Sequence, residues 1–292
     1  VISRSIAADK YSAHELAGML ATIGAINGIA TVVAPIGGGV LADFGGWHGI
    51  FWFLFMLGVL LIIGSMRFRE SLPGGQRQNI RWGDMYRRFG IVLHNRQYIL
   101  QYGFTMGVLF TNIASAPFIM QQYYGLSPML FSFCFGVNAV AMVISSALAV
   151  RFSTMERALH VGNHGMLFIS ILLSVAFFLD CNFWIYEILI FCLLAMVGMT
   201  FTASNTLAMD CERKNAGVAS ALLGAIGFAF GGLVSPLVGM GDIRMSTGFL
   251  FFMGSLCSCV CACFSFHRLP FRKKALNFAP YRIINVFLQK LL

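Results

Sequence analysis

IFWFLFMLGVLLIIGSMRFRESLPGGQRQNIRWGDMYRR, residues 50 to 88, contains the pattern that decides the fold. Ile50 to Met66 carries no charged side chain, and an apolar run approaching 20 residues is what a helix needs to cross about 30 Å of hydrocarbon. The run stops at Arg67, and the hydrophilic stretch to Gln97 carries Arg67, Arg69, Arg77, Arg81, Arg87, Arg88 and Arg96 against only Glu70 and Asp84. Within it Met85, Phe89, Val92 and Leu93 recur at helical spacing with arginines between them, the pattern of a helix lying along lipid headgroups.

Working outward, seven more stretches have the same apolar density: Leu16 to Ala42, Tyr98 to Met120, Leu130 to Val150, Val161 to Leu179, Phe183 to Thr206, Val218 to Met240 and Phe249 to Phe266. Eight spans are therefore expected. The chain is 58% apolar and 11% charged, whereas a soluble domain is about 45–50% apolar and about 25% charged. Helices are the open segments that satisfy their own backbone groups in lipid, and the apolar runs lack the alternation that barrel strands require. The expected class is an all-α membrane protein.

Counting connections alternately, the basic residues number 2, 7, 2, 2 and 6 on one side, against Arg244 alone on the other. Lys and Arg stay in the cytoplasm, so both ends of the chain are expected inside. The connections near Asp43, Gly125, Asp180 and Asp242 are expected outside. The net charge of +9 is scattered over short loops and forms no interleaved basic and aromatic surface, which argues against nucleic acid and for anionic lipid.

Eight cysteines invite a metal reading, above all Cys257, Cys259, Cys261 and Cys263. Cys257 and Cys261 share one helical face while Cys259 and Cys263 occupy the other side, so four thiolates cannot converge. No metal and no cofactor is expected.

The stretch AADKYSAHELAGMLATIGA before the basic loop parallels LAMDCERKNAGVASALLGA after it, VVAPIGGG parallels LVSPLVGM, and GIFWFLFMLG parallels GFLFFMGSLC, at a spacing of about 200 residues. Such parallel repeats indicate two like-oriented bundles with a site between them. Five spans separate the equivalent first and seventh, so the unit is six helices. The expected division is residues 1–66 as the remainder of an amino-terminal bundle, 67–97 as a basic cytoplasmic loop, 98–267 as a complete carboxyl-terminal bundle and 268–292 as a cytoplasmic tail. Ile284, Phe287, Leu288 and Leu291 give that tail an apolar stripe; a drifted reading frame is the other account of it. With Val first and only part of one bundle represented, the expectation is an amino-terminal truncation, with about eight of twelve membrane helices present.

This two-bundle organisation resembles the major facilitator superfamily. Arg4 and Asp9 in RSIAAD resemble the R-x-x-x-x-D that ends the fourth helix of the Bcr/CflA drug:proton antiporters, and Ala34-Pro35-x-Gly37-Gly38 resembles the proline-glycine signature of the fifth. WHGIFWFL, Ala116 to Ala139 and Ala216 to Gly232 resemble that family's sixth, seventh-to-eighth and eleventh helices. The resemblance covers residues 1 to about 268, with one departure at Ala8, where the family has a second arginine. It implies a monomeric, multi-pass transporter of the bacterial inner membrane, without enzymatic chemistry, that exports a small amphipathic or drug-like substrate against protons. A nutrient or metabolite carrier of the same fold is the alternative; no catalytic cluster marks a membrane enzyme.

By that resemblance Arg4, with Asp9, acts on a proton-bearing acid elsewhere in the full protein; the other account is that Arg4 snorkels to the interface. Asp180 and Glu187 read as lying near the outer end of their span, leaving no acid at mid-membrane among the visible spans. Rotation of 100° per residue puts Gln101, Thr105, Asn112, Ser115 and Gln122 on one face of their helix. Asn27 and Thr31 share a face of the first span, Asn138 and Ser145 of the fourth, Thr200 and Ser204 of the sixth. These polar residues are expected to line a substrate cavity with aromatics such as Phe104 and Phe118; one by one, they also suit interhelical hydrogen bonding. Pro35, Gly37 and Gly38, matched by Pro236 and Gly239 in the second repeat, read as a hinge and close-packing face, or as plain packing.

Overall fold

A computed structural model describes residues 13–67, 83, 90, 97–211 and 216–267. Among them regular structure is entirely helical. The helices are α1 (Ala13–Met66), α2 (Gln97–Pro117, continued by a π-helical stretch at Phe118–Tyr123), α3 (Pro128–Ala149), α4 (Met155–Phe178), α5 (Phe183–Cys211), α6 (Ala216–Val238) and α7 (Ile243–His267). Seven are long and apolar enough to cross a membrane.

The sequence reading expected two spans where α1 runs as one element. The difference lies at Gly46, whose φ of 57° and ψ of −163° are not helical. A Cβ built on Gly49 would lie 3.5 Å from the carbonyl oxygen of Leu41, whereas eight residues of continuous helix rise about 12 Å. The chain therefore folds back at Gly46, and α1 is two legs joined by a one-residue corner. Only glycine takes that corner without a Cβ clash.

Four of the remaining helices start on caps that the sequence supplies. Ser127 Oγ accepts the amide hydrogen of Leu130 with Pro128 in the first turn of α3, and Thr154 Oγ1 accepts that of Arg157 in α4. Asn182 Oδ1 accepts from Ile185 in α5, and Asp242 Oδ1 from Arg244 and Met245 in α7. Each satisfies an amide that the first helical turn leaves without a partner. Pro117 closes α2, and the i→i+5 bonding of the next six residues slows the rotation per residue.

α2 is the centre of the bundle. It packs against α5, α6 and α7, while α3 and α4 both pack along α5, and α4 along α7. Around α2 the contacts change residue by residue: Tyr102 meets Phe201 of α5, Gly103 meets Ile226 and Phe230 of α6, and Val108 meets Gly254 of α7. Residues before the basic loop join this bundle through α1 against α3, where Gly39 sits on Ser132; a Cβ there would lie 2.7 Å from that of Ser132. The second leg of α1, from Trp47 to Met66, presents its aromatic and aliphatic side chains outward.

Candidate functional site

Polar side chains cannot be left bare in a membrane-crossing bundle without a cost of order 1–3 kcal/mol each, so their partners map what the interior does. Three groupings emerge.

The first is a buried node of three helices. Gln101 of α2 donates from Nε2 to Asn163 Oδ1 of α4 at 2.8 Å and to Ser258 Oγ of α7 at 2.5 Å, and Ser258 donates to the same Asn163 oxygen at 3.0 Å. All three are fully buried. Farther along, Ser170 and Ser255 lie 2.8 Å apart and Ser174 donates to the Gly248 carbonyl at 3.0 Å, so α4 and α7 are laced by small hydroxyls.

The second is the α3–α5 seam. Ser146 donates to the carbonyl of Gly198 at 3.0 Å, and a Cβ on Gly198 would collide with the Met142 carbonyl oxygen and Ser145 Oγ. Toward the other end of the same seam, Asn138 donates from Nδ2 to Glu187 Oε1 at 3.0 Å. Glu187 Oε2 and Asn138 Oδ1 are both buried without a partner.

The third grouping closes the end of the bundle where α2, α4 and α6 finish. Arg244 forms an ion pair with Asp180 and stands 3.5 Å from Asp242, while its guanidinium lies 4.2 Å over the ring of Tyr123. Tyr123 OH donates to Asp180 at 3.3 Å, and Tyr124 OH to the Cys181 carbonyl at 2.9 Å. Phe118, Ile119, Gln122, Tyr123 and Gly241 to Arg244 line a hollow of about 320 Å³ beside this cluster. The Arg244 hydrogen bond, reinforced by its charge, holds Asp180 below the ordinary carboxyl value of 3.8. Its contribution is therefore complete above that value and is lost as pH falls through the lowered one. Asp242 is held low chiefly by the backbone amides of Arg244 and Met245. Burial pushes the Tyr124 phenol up, so it stays a donor.

The sequence-predicted residues fall as follows. Gln101, Thr105, Asn112, Asn138, Ser145, Thr200 and Ser204 are all buried. Gln101 and Asn138 bond across helices; Thr105, Ser145, Thr200 and Ser204 bond to carbonyls of their own helices at 3.0, 3.0, 2.8 and 2.8 Å. Thr200 also packs on Gly162 of α4. The α2 stripe stays covered through Ser115 but not at Gln122, because the π-helical stretch shifts the phase that a constant 100° step assumes. Of the glycines after Pro35, Gly37 and Gly38 meet nothing within 4 Å of a built Cβ, and the close approach belongs to Gly39. Pro236 lies near the end of α6 and Gly239 just beyond it, both exposed. Arg4 and Asp9, and the side chains of Asn27, Thr31 and Pro35, lie outside the described residues.

Sequence reasoning passed over Asn163, Ser258 and the bond that Glu187, the fifth residue of α5, accepts from Asn138. The signal was present in WIYEILIFCLL, an acid inside an apolar run, which in a membrane is a functional candidate by default. Among the described residues no group of His, Cys, Asp and Glu could hold a metal.

Compared with known proteins, residues 1–236 match the model of the Major Facilitator Superfamily. An uncharacterised MFS-type transporter of Bacillus subtilis, YdgK, is 33% identical over 251 residues, covering 83% of this chain and 62% of its own. A bicyclomycin resistance protein homolog of Haemophilus influenzae is 27% identical over 281 residues, covering 87% of this chain and 66% of its own. The chain thus spans just under two thirds of the length of these relatives.

Proposed function

This chain belongs to the major facilitator superfamily, and from that membership we propose that the whole protein is a Bcr/CflA-type exporter exchanging protons for an amphipathic or drug-like compound. As a member it is a multi-pass membrane transporter acting on a small molecule. The observation that carries the finer reading is the similarity of 87% of the chain to a bicyclomycin resistance homolog, joined to the antiporter-like Pro35-x-Gly37-Gly38 run.

In this reading the amino-terminal residues to Met66 and the bundle of α2 to α7 rock against each other across the α1–α3 contact, with the basic loop and both ends of the chain in the cytoplasm of a bacterial cell. Gly39 on Ser132 supports a tight, Cβ-free contact at that seam. The polar residues of α2, α3 and α5 serve the substrate when the helices part. Gln101 Oε1, Asn112 Oδ1 and Ser115 Oγ lack partners in the closed packing and are the atoms available to a polar substrate group. Asn27 and Thr31 are the substrate-cavity residues of the other half in this reading, Pro236 and Gly239 mirror Pro35 and Gly38 in the sequence repeat, and Arg4 with Asp9 serves proton coupling. The transporter acts as a monomer surrounded by lipid.

The test is flux in proteoliposomes holding the full-length protein. Bicyclomycin or another amphipathic drug moves against an imposed pH gradient, and Arg4→Ala abolishes that movement while leaving the amount of protein unchanged. Flux indifferent to the gradient overturns antiport and leaves a carrier of another kind.

A further inference from the structure

Glu187 is an acid inside the helical packing, and among the described residues its surroundings contain no cation. From α3 the titratable neighbour is Cys134, and on α5 itself it is Tyr186. α2 carries no charged side chain; its Tyr98 and Tyr102 lie at the opposite end, with Tyr123 and Tyr124 near the Asp180 loop. α4 keeps Glu156, Arg157, His160 and His164 in the half that starts at Met155, away from Asp180, and α6 has no titratable side chain. α1, which touches α3, bears Asp43 and His48 beside its corner. Arg244 is engaged by Asp180 and Asp242. A carboxylate in this position has one bond, from the Asn138 amide, where an ionised carboxyl normally takes several.

The two atoms without partners are informative together. Glu187 Oε2 and Asn138 Oδ1 are both acceptors when the carboxyl is ionised, so neither can satisfy the other. One proton added at Oε2 turns it into a donor, and rotation about the terminal torsions of the two side chains brings it to Asn138 Oδ1. Acid and amide then form a closed ring, with O–H donating to the amide oxygen and Nδ2 donating to Oε1. A single proton removes both deficits, and no other bond changes.

We propose that Glu187 and Asn138 form a proton-binding site in the α3–α5 seam, loaded when the two helices are packed as here and released when the seam opens to water. Below the pair the seam is held by Ser146 on the Gly198 carbonyl and by the Gly198 close approach, so from that side water reaches the acid only when α3 and α5 separate. That this proton crosses the membrane rests on the antiport reading; that it binds does not.

Infrared difference spectra of the detergent-purified full-length protein test the site. At a pH where Asp180 and Asp242 are ionised, the wild type shows a protonated-carboxyl C=O absorption that Glu187→Gln removes. In Asn138→Leu the same absorption moves to higher wavenumber, because Oε1 has lost its donor. If Glu187→Gln does not accumulate in the membrane, the Asn138→Leu shift decides alone. A wild type without the absorption, or an absorption unmoved in Asn138→Leu, overturns the proposal. Proteoliposome flux separates the two readings. Flux blind to pH beside an intact absorption removes antiport and keeps the site, whereas proton-driven flux without the absorption removes the site and keeps antiport.

Discussion

One absent methyl group sets the spacing of two helices. Any side chain at position 198 meets the Met142 carbonyl and Ser145, and a helix backbone cannot yield as a flexible side chain can. Gly198→Val is expected to cost about 1–3 kcal/mol through overpacking and to lower the unfolding temperature in detergent. Gly224→Ala, where a Cβ meets nothing within 4 Å, holds or raises it. A drop for both variants would show that the α3–α5 seam has no special demand. Neither glycine is distinguishable in sequence, since an apolar helix gives no sign of which face meets a neighbour. The same limit leaves Gln101 and Asn138 open to two readings, since a cavity wall and a bundle interior both select uncharged polar side chains. Their partners are invisible to the pattern as well: Asn163 lies 62 positions from Gln101.

At the level of elements, hydropathy located the helices well because lipid permits few alternatives to a continuous apolar run. The turn expected between Ala42 and Ile50 falls at Gly46. What hydropathy could not supply was phase, since the π-helical turn after Pro117 alters the angular count without changing composition. Gly46→Val forces a branched side chain into left-handed backbone at a cost of at least about 1–2 kcal/mol. Membranes carrying the full-length variant are expected to yield less protein and to show faster protease cleavage near residue 46. Unchanged cleavage would mean the corner tolerates a Cβ.

Across the whole molecule, charge distribution is the part the sequence states most directly. Arg244, the one basic residue expected on the less basic side, is ion-paired with Asp180 and Asp242, so it would add no free positive charge there. Reporter fusions after Gly46, Tyr124 and Asp242 of the full-length protein are expected to read as external, and one after Gln78 as internal. Mixed or reversed readings would remove the proposed orientation. The helical membrane class was legible in composition and hydropathy, whereas the arrangement of α4, α5 and α7 around α2 depends on hydroxyl and amide contacts that no periodicity encodes.

The contacts joining Tyr123, Tyr124, Asp180, Cys181 and Arg244 tie the finish of α2, the α4–α5 turn and the start of α7 into one knot, and Ser246 adds the finish of α6 through the Val238 carbonyl at 2.6 Å. Of the helix termini gathered there, the beginning of α3 alone is left untied by these bonds. Force applied to any tied member is passed directly to the others, whereas α3 is coupled to this rim through its packing on α5 and α1.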